Sequence, residues 1–248
     1  MRRERFLGVP LDIATMDETV AWIGQRVEQG LFTQHVVVNV AKLVHMRKDD
    51  ELFHSVAGCD VINVDGMGIV WGMRFLGMEI PERVAGVDLF HRLLGLSAEK
   101  GFSVYLLGAR PDVVKKTAAI AEATYPGLKI AGFHHGYFWE DEAAVVEDIR
   151  QSGARLLFVA ITSPKKENFI HTHRDALGVS FVMGVGGTFD VVAGKVIRAP
   201  LWMQNAGLEW FYRLVQEPRR MWKRYMVTNA AYAMLLIREK IRRMRTRR

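Results

Sequence analysis

The chain has 248 residues, 50% of them hydrophobic and 25% charged, with one cysteine and a net charge of +7. That balance excludes a largely disordered chain or a disulfide-stapled scaffold, and the length allows one large domain, alone or with an appendage. Cys59 has no partner for an intramolecular disulfide, and among Val56, Ala57 and Val61 it reads as a buried structural thiol in a reducing compartment.

The basic start, Met1-Arg2-Arg3-Glu4-Arg5, is followed by no long apolar stretch, so no signal peptide is expected. A helical pattern over Met16–Gln29 leads into a strand over His35–Val40, and a second strand follows at Val61–Val64. Helices are predicted over Gly66–Leu76 and Val87–Glu99, then a strand over Ser103–Leu107 and a helix over Pro111–Thr124. The series continues with a strand at Leu128–Ala131, a helix at Glu140–Gln151 and a strand at Arg155–Ile161. It closes with a helix at Lys165–Asp175 and a strand at Val179–Met183. The strands lack polar alternation, as strands buried on both faces do. Their alternation with helices predicts an α/β fold with a mostly parallel, doubly wound sheet and helices on both faces. Such sheets bind ligands beyond the carboxyl ends of their strands, so functional residues are sought there.

The last stretch differs. Leu201–Gln216 places Leu208, Phe211, Tyr212 and Val215 on one helical stripe. Pro218 suits the first turn of another helix, which runs through Met221, Trp222 and Tyr225 to a terminal arginine cluster. A boundary near Arg198–Pro200 divides an α/β body (1–199) from a helical, basic appendage (200–248). From Arg213 to Arg248 there are 12 Lys and Arg against 2 Glu, whereas the rest holds 22 Lys and Arg against 25 Asp and Glu. A mildly acidic body with a strongly basic tail points to an anionic partner for the tail. The most apolar stretch there, Met226–Ile237, is interrupted by Thr228 and Asn229 and is well short of the ~20 residues a membrane span needs. Tyr232, Leu235, Leu236, Ile237 and Ile241 among the arginines suit attachment to an anionic membrane surface, or a solvated helix end.

Five constellations follow strands. Asn63-Val64-Asp65-Gly66-Met67-Gly68 sets a carboxylate at a strand exit, as a site group or as the N-cap of the next helix. In Glu82-Arg83-Val84-Ala85-Gly86-Val87-Asp88, Arg83 can meet a phosphate or be a surface arginine, and Asp88 can be a first-turn helix carboxylate. Leu107-Gly108-Ala109-Arg110-Pro111 is a strand–turn–helix junction without the G-x-G-x-x-G fingerprint. Lys165, Lys166 and Glu167 after Thr162-Ser163-Pro164 form an anion and hydroxyl site, or merely open a helix. The densest run is Gly184-Val185-Gly186-Gly187-Thr188-Phe189-Asp190, followed by Gly194-Lys195 and Arg198-Ala199-Pro200. Its glycines let backbone wrap a ligand, and Asp190 can accept from a ribose or sugar hydroxyl. There is no D-x-D pair, Walker A motif or G-x-S-x-G elbow, and His171 and His173 diverge on a helix. His134-His135 reads as a loop pair, so no metal and no other cofactor is expected.

Together these runs resemble the TagA/WecG/CpsF family of bacterial glycosyltransferases, glycosyltransferase family twenty-six. The likeness rests on Val61–Gly68, Glu82–Gly86, Ser163–Glu167, the long run Met183–Pro200, Gly207–Arg213 and Glu217–Tyr225, in that order. It implies a Rossmann-like core with a C-terminal appendage that completes the site and touches the membrane. It implies inverting, metal-independent transfer of a sugar from a UDP-sugar to a polyprenyl-diphosphate-linked sugar, in teichoic acid, common antigen or exopolysaccharide synthesis. The matching aspartate, Asp65, is the general base, with Arg83 beside it and Asn39 in the same pocket. Asp190 lies near the nucleoside, and Arg213, Arg220 and Arg224 reach the diphosphate. Gly66, Gly86, Lys166, Glu167, Gly184, Gly186, Gly187 and Arg198 complete the expected substrate-binding set. Two positions depart from the pattern: Val37 where many members carry threonine, and Lys166 where many carry glutamine. A cytoplasmic enzyme, peripheral on the inner face of the cell membrane and able to form a homo-oligomer, follows. A rival reading is nucleic-acid binding by the basic, aromatic tail. Against it, the glycine–aspartate runs belong to an acidic body that repels a phosphate backbone. The missing fingerprint argues against an NAD-dependent oxidoreductase, and a non-catalytic nucleotide-sugar sensor is distinguished only by turnover.

Overall fold

The computed structural model describes residues 1–246, the side chains of Arg220, Arg224 and Thr246 excepted. The chain opens with a hairpin, β1 (Arg2–Phe6) and β2 (Val9–Ile13), followed by α1 (Met16–Glu28), whose Thr15 and Glu18 form a capping box. Then come β3 (Thr33–Val38), α2 (Val40–His45), α3 (Asp50–Ala57), β4 (Val61–Val64), α4 (Met67–Phe75) and α5 (Gly86–Lys100). Next are β5 (Ser103–Gly108), α6 (Pro111–Thr124), β6 (Lys129–His134), α7 (Glu142–Gln151), β7 (Leu156–Ala160), α8 (Lys165–His173) and β8 (Phe181–Gly184). The chain ends with α9 (Thr188–Val192), α10 (Leu201–Asn205), α11 (Glu209–Gln216) and the long α12 (Pro218–Thr246).

β3 to β8 form one parallel sheet in the order β4-β3-β8-β7-β5-β6, as the apolar runs predict. Alternate strand residues face opposite sides. Val104, Leu106, Phe158 and Phe181 pack with α1, α5, α6 and α9 on one face. Tyr105, Leu157 and Val182 pack under α7 and α8 on the other, and Val36, Val38, Ile62 and Val64 lie under α2, α3 and α4 there. β3 and β7 feed helices on this second face, whereas β8, between them, feeds α9 on the first. Such a divergence opens a crevice at the carboxyl ends of the strands. Cys59 is buried, as expected, and burial pushes its thiol up to about 12.

Several elements differ from the reading of the sequence. β3 stops at Val38, because Asn39 turns to cap α2: its Oδ1 accepts from the Lys42 N–H at 3.0 Å. The polar β1 pairs with β2, buries Phe6, and is tied by Arg3, which donates twice to Asp12 at 2.8 Å. The Asp12 carboxylate also accepts from the Ile62 N–H at 2.7 Å, joining the hairpin to β4. The predicted helix over Leu201–Gln216 is two helices broken at Gly207, which has φ 74° and backs against Met67. Its stripe is not a core stripe, since Phe211 and Val215 are exposed. α12 packs against α2 and joins the core through Tyr232, whose hydroxyl reaches α4, with Leu235 and Leu236 packed alongside. Of the five apolar residues assigned to a membrane face, Ile237 and Ile241 are the exposed ones. Among the described residues no helix is long and apolar enough to cross a membrane.

Candidate active site

The exits of β3 and β4, the loop ahead of α5, and the C-terminal helices enclose a cavity of about 630 Å³. Seven of the expected site residues line it: Asn39, Asp65, Gly66, Arg83, Gly86, Arg198 and Arg213. Asp65 follows β4 directly, without capping α4. The cap position is Gly66, held at φ 88° with no side-chain cap bond, a conformation suited to glycine. The N–H of Gly86, first residue of α5, donates to the Asp65 carboxylate. Burial pushes that carboxyl up from its usual range; Glu209 adds to the rise, while Arg83, Arg213 and the Gly86 N–H oppose it. A recessed carboxylate with raised proton affinity is suited to general-base work.

Arg83 is not a surface arginine. Its side chain is 16% exposed, and Nη1 donates to Glu209 Oε2 at 2.9 Å. Arg198 forks onto Asp88, with Nη1 and Nη2 donating to its two oxygens at 2.5 and 2.8 Å. Its Nε lies 3.5 Å from Glu209 Oε1. Asp88 is thus both the first-turn carboxylate of α5 and the anchor of Arg198. Burial raises the Asp88 carboxyl, but Arg198 outweighs it and the net shift is downward. Glu209 therefore joins the two arginines across the cleft. It lies inside the run Gly207–Arg213 but was not singled out in the sequence, since its partner Arg83 is 126 positions away. Its one local signal is an acidic residue in an aromatic, basic stretch. Trp71, Phe75 and Trp210 also line the cavity and are each at least 40% exposed.

Lys166, Glu167 and Gly184 form a second group outside the lining of this cavity. Lys166 and Glu167 open α8 and are buried, and Gly184 ends β8 against the Lys166 side chain. Pro164 holds the cap position of α8 with no side-chain cap bond. Glu167 Oε1 accepts from Lys42 Nζ at 2.8 Å and lies 3.4 Å from Lys166 Nζ. Burial would raise the Glu167 carboxyl, yet Lys42 and Lys166 hold it at about 2; burial and Lys42 push Lys166 down to about 8. Lys42 is a second residue missed in the sequence. It is tied to the pocket because Asn39, three positions earlier, caps its helix. Gly186 and Gly187 form the turn after β8, and Asp190, partly exposed, lies in the first turn of α9. The side chains of Arg220 and Arg224 lie outside the described residues, and α12 carries both positions. Among the described residues no group of three or more His, Cys, Asp or Glu is placed to hold a metal ion. His173 Nε2 pairs instead with Glu142, and His134 Nδ1 bonds the His135 carbonyl.

A model of the glycosyl transferase WecG/TagA/CpsF family matches residues 4–246. An N-acetylglucosaminyldiphosphoundecaprenol N-acetyl-beta-D-mannosaminyltransferase from Bacillus subtilis (strain 168) is 38% identical over 192 residues, 77% of this chain and 74% of the relative. A protein of the same name from Bacillus spizizenii is 36% identical over 171 residues, 69% of this chain and 66% of the relative.

Proposed function

The chain belongs to the WecG/TagA/CpsF family of glycosyl transferases, and on that premise we propose that it transfers a sugar from a UDP-sugar to a polyprenyl-diphosphate-linked sugar in cell-wall or surface polymer synthesis. The observation that carries this reading is Asp65 recessed in one cavity with Arg83, Arg198 and Arg213. In the proposed reaction the Asp65 carboxylate takes the proton of the acceptor hydroxyl. The freed oxygen bonds the anomeric carbon from the face opposite UDP, the glycosidic bond breaks, and its electron pair leaves on the diphosphate oxygen. The configuration inverts. The arginines meet the charge that develops on the leaving group, without a metal, each worth about 3 kcal/mol in a closed site. The positioned base adds about 10²–10⁴-fold.

The two named relatives make N-acetylmannosamine the first donor sugar to test, and a lipid-linked N-acetylglucosamine the first acceptor. The turn at Gly186 and Gly187 with Asp190 is assigned to the nucleoside, and Lys42, Lys166 and Glu167 to the sugar side. Trp71, Phe75 and Trp210 in the cavity lining suit the first isoprene units. Exposed Trp202, Phe211, Trp222 and Met226, together with the tail arginines, suit a peripheral hold on the anionic inner leaflet. The test is incubation of a UDP-sugar panel with a short-chain polyprenyl-diphosphate N-acetylglucosamine and mass spectrometry of the lipid. A lipid-linked disaccharide with one donor supports the reading. No product with any donor, from folded protein on vesicles, overturns it.

A further inference from the structure

The C-terminal helices bring Glu209 to the cavity wall, where it reaches two arginines at once. Its side chain is 17% exposed, and those of Arg83 and Arg198 are 16% and 19% exposed, so the three interact where water screens them little. We propose that Glu209 is a positioning residue of the transfer: it fixes the aim of Arg83 and Arg198 and sets the balance of charge around Asp65.

The inference rests on the transferase reading, and three observations support it. First, Glu209 touches Arg83 through one nitrogen, Nη1, so most of the five guanidinium donors remain available to a diphosphate. Second, Asp88 holds the far end of Arg198 through both oxygens, and Glu209 approaches its near end at Nε. Two arginines that would otherwise repel are thereby held in one cluster, three arginines (83, 198 and 213) facing three carboxylates (65, 88 and 209). Third, the charge on Glu209 raises the proton affinity of Asp65, whereas Arg83 and Arg213 lower it. Removing that charge makes Asp65 a weaker base and frees Arg83 to turn toward it. Because Glu209 opens α11 while Arg83 and Asp88 flank the start of α5, the arrangement exists only when the C-terminal helices are seated.

Glu209→Gln keeps an acceptor for Arg83 and removes the charge, while Glu209→Ala removes both. For Glu209→Gln the acid limb of the pH profile of kcat/KM is expected to move to lower pH, with kcat down about tenfold and the thermal midpoint near wild type. For Glu209→Ala kcat is expected to fall further, with the donor KM changed less than kcat. A purely structural role would lower the folded fraction without moving the acid limb. An acid limb in Glu209→Gln that coincides with wild type therefore overturns the proposal. A readout independent of turnover is the ¹³C carboxyl titration of Asp65, assigned by loss of its signal in Asp65→Asn. A midpoint displaced to lower pH in Glu209→Gln supports the proposal even if the transferase reading fails, and an unmoved midpoint overturns it even if transfer is observed.

Discussion

Tyr232 stands where a side chain on Gly72 would be: a Cβ on that glycine would lie 1.9 Å from the Tyr232 hydroxyl, which donates to the Gly68 carbonyl at 3.0 Å. This contact seats α12 on α4, and Lys240 and Arg243 extend the seam by donating to the Phe75 and Leu76 carbonyls. Since α4 and α12 both line the cavity, the seam also sets its shape. Gly72→Ala forces the tyrosine aside and is expected to cost about 1–3 kcal/mol, a drop in thermal midpoint of several degrees. Tyr232→Phe loses one hydrogen bond and costs about 1 kcal/mol. Urea unfolding measures both, and Gly72→Ala with wild-type stability would contradict the packing.

The Lys42–Glu167 pair makes an acid-side prediction. Glu167 is held at about 2, below the ~4.3 of an unfolded glutamate, so its contribution is present above that value and is lost as pH falls toward 2. Glu167→Gln leaves two lysine ammonium groups buried beside each other and is expected to cost about 3–5 kcal/mol at neutral pH. The gap from wild type should narrow between pH 4 and 2.

Lys166 predicts the opposite sign at high pH. Its ammonium deprotonates at about 8 in the fold and at ~10.4 in the unfolded chain, so between these values the unfolded state binds more protons. Stability relative to Lys166→Met should therefore rise with pH across that window, by up to roughly 3 kcal/mol. A flat difference from pH 7.5 to 10.5 would show that the lysine is not buried in its charged form.

Much of this architecture was legible in the residues. The apolar runs Arg155–Ile161 and Val179–Met183 announce the buried parallel strands found at Leu156–Ala160 and Phe181–Gly184, and Asp65 and Asn39 follow such strands, where sheets of this kind bind ligands. The hairpin was not legible, because Arg2–Phe6 is mostly charged and its pairing depends on a turn at Leu7 and Gly8, both at positive φ. α9 hides inside a glycine-rich run and has only five residues, too few for a periodic signal. Glu209 and Lys42 were missed for a different reason. Their partners are 126 and 125 positions away, and long-range pairing leaves no local pattern. The sequence puts Tyr232 in one set with Ile237 for the membrane surface, and packing against Gly72 separates them: Tyr232 is buried and Ile237 exposed.

The exposed apolar residues of α10–α12, with the arginines around them, predict reversible attachment to anionic lipid. Each basic residue near such a surface contributes about 1 kcal/mol. The protein should sediment with phosphatidylglycerol vesicles at low salt, less at high salt, and hardly with phosphatidylcholine. Absence of binding at either salt would contradict this role for the C-terminal helices.

In the proposed transfer Asp65 acts as a base without a metal. The direct measurement is UDP release from the donor in the presence of acceptor, with and without EDTA, for wild type and Asp65→Asn. The prediction is release that survives EDTA and falls at least about 100-fold in Asp65→Asn, with the fold intact. Release abolished by EDTA, or undiminished in Asp65→Asn, would contradict it.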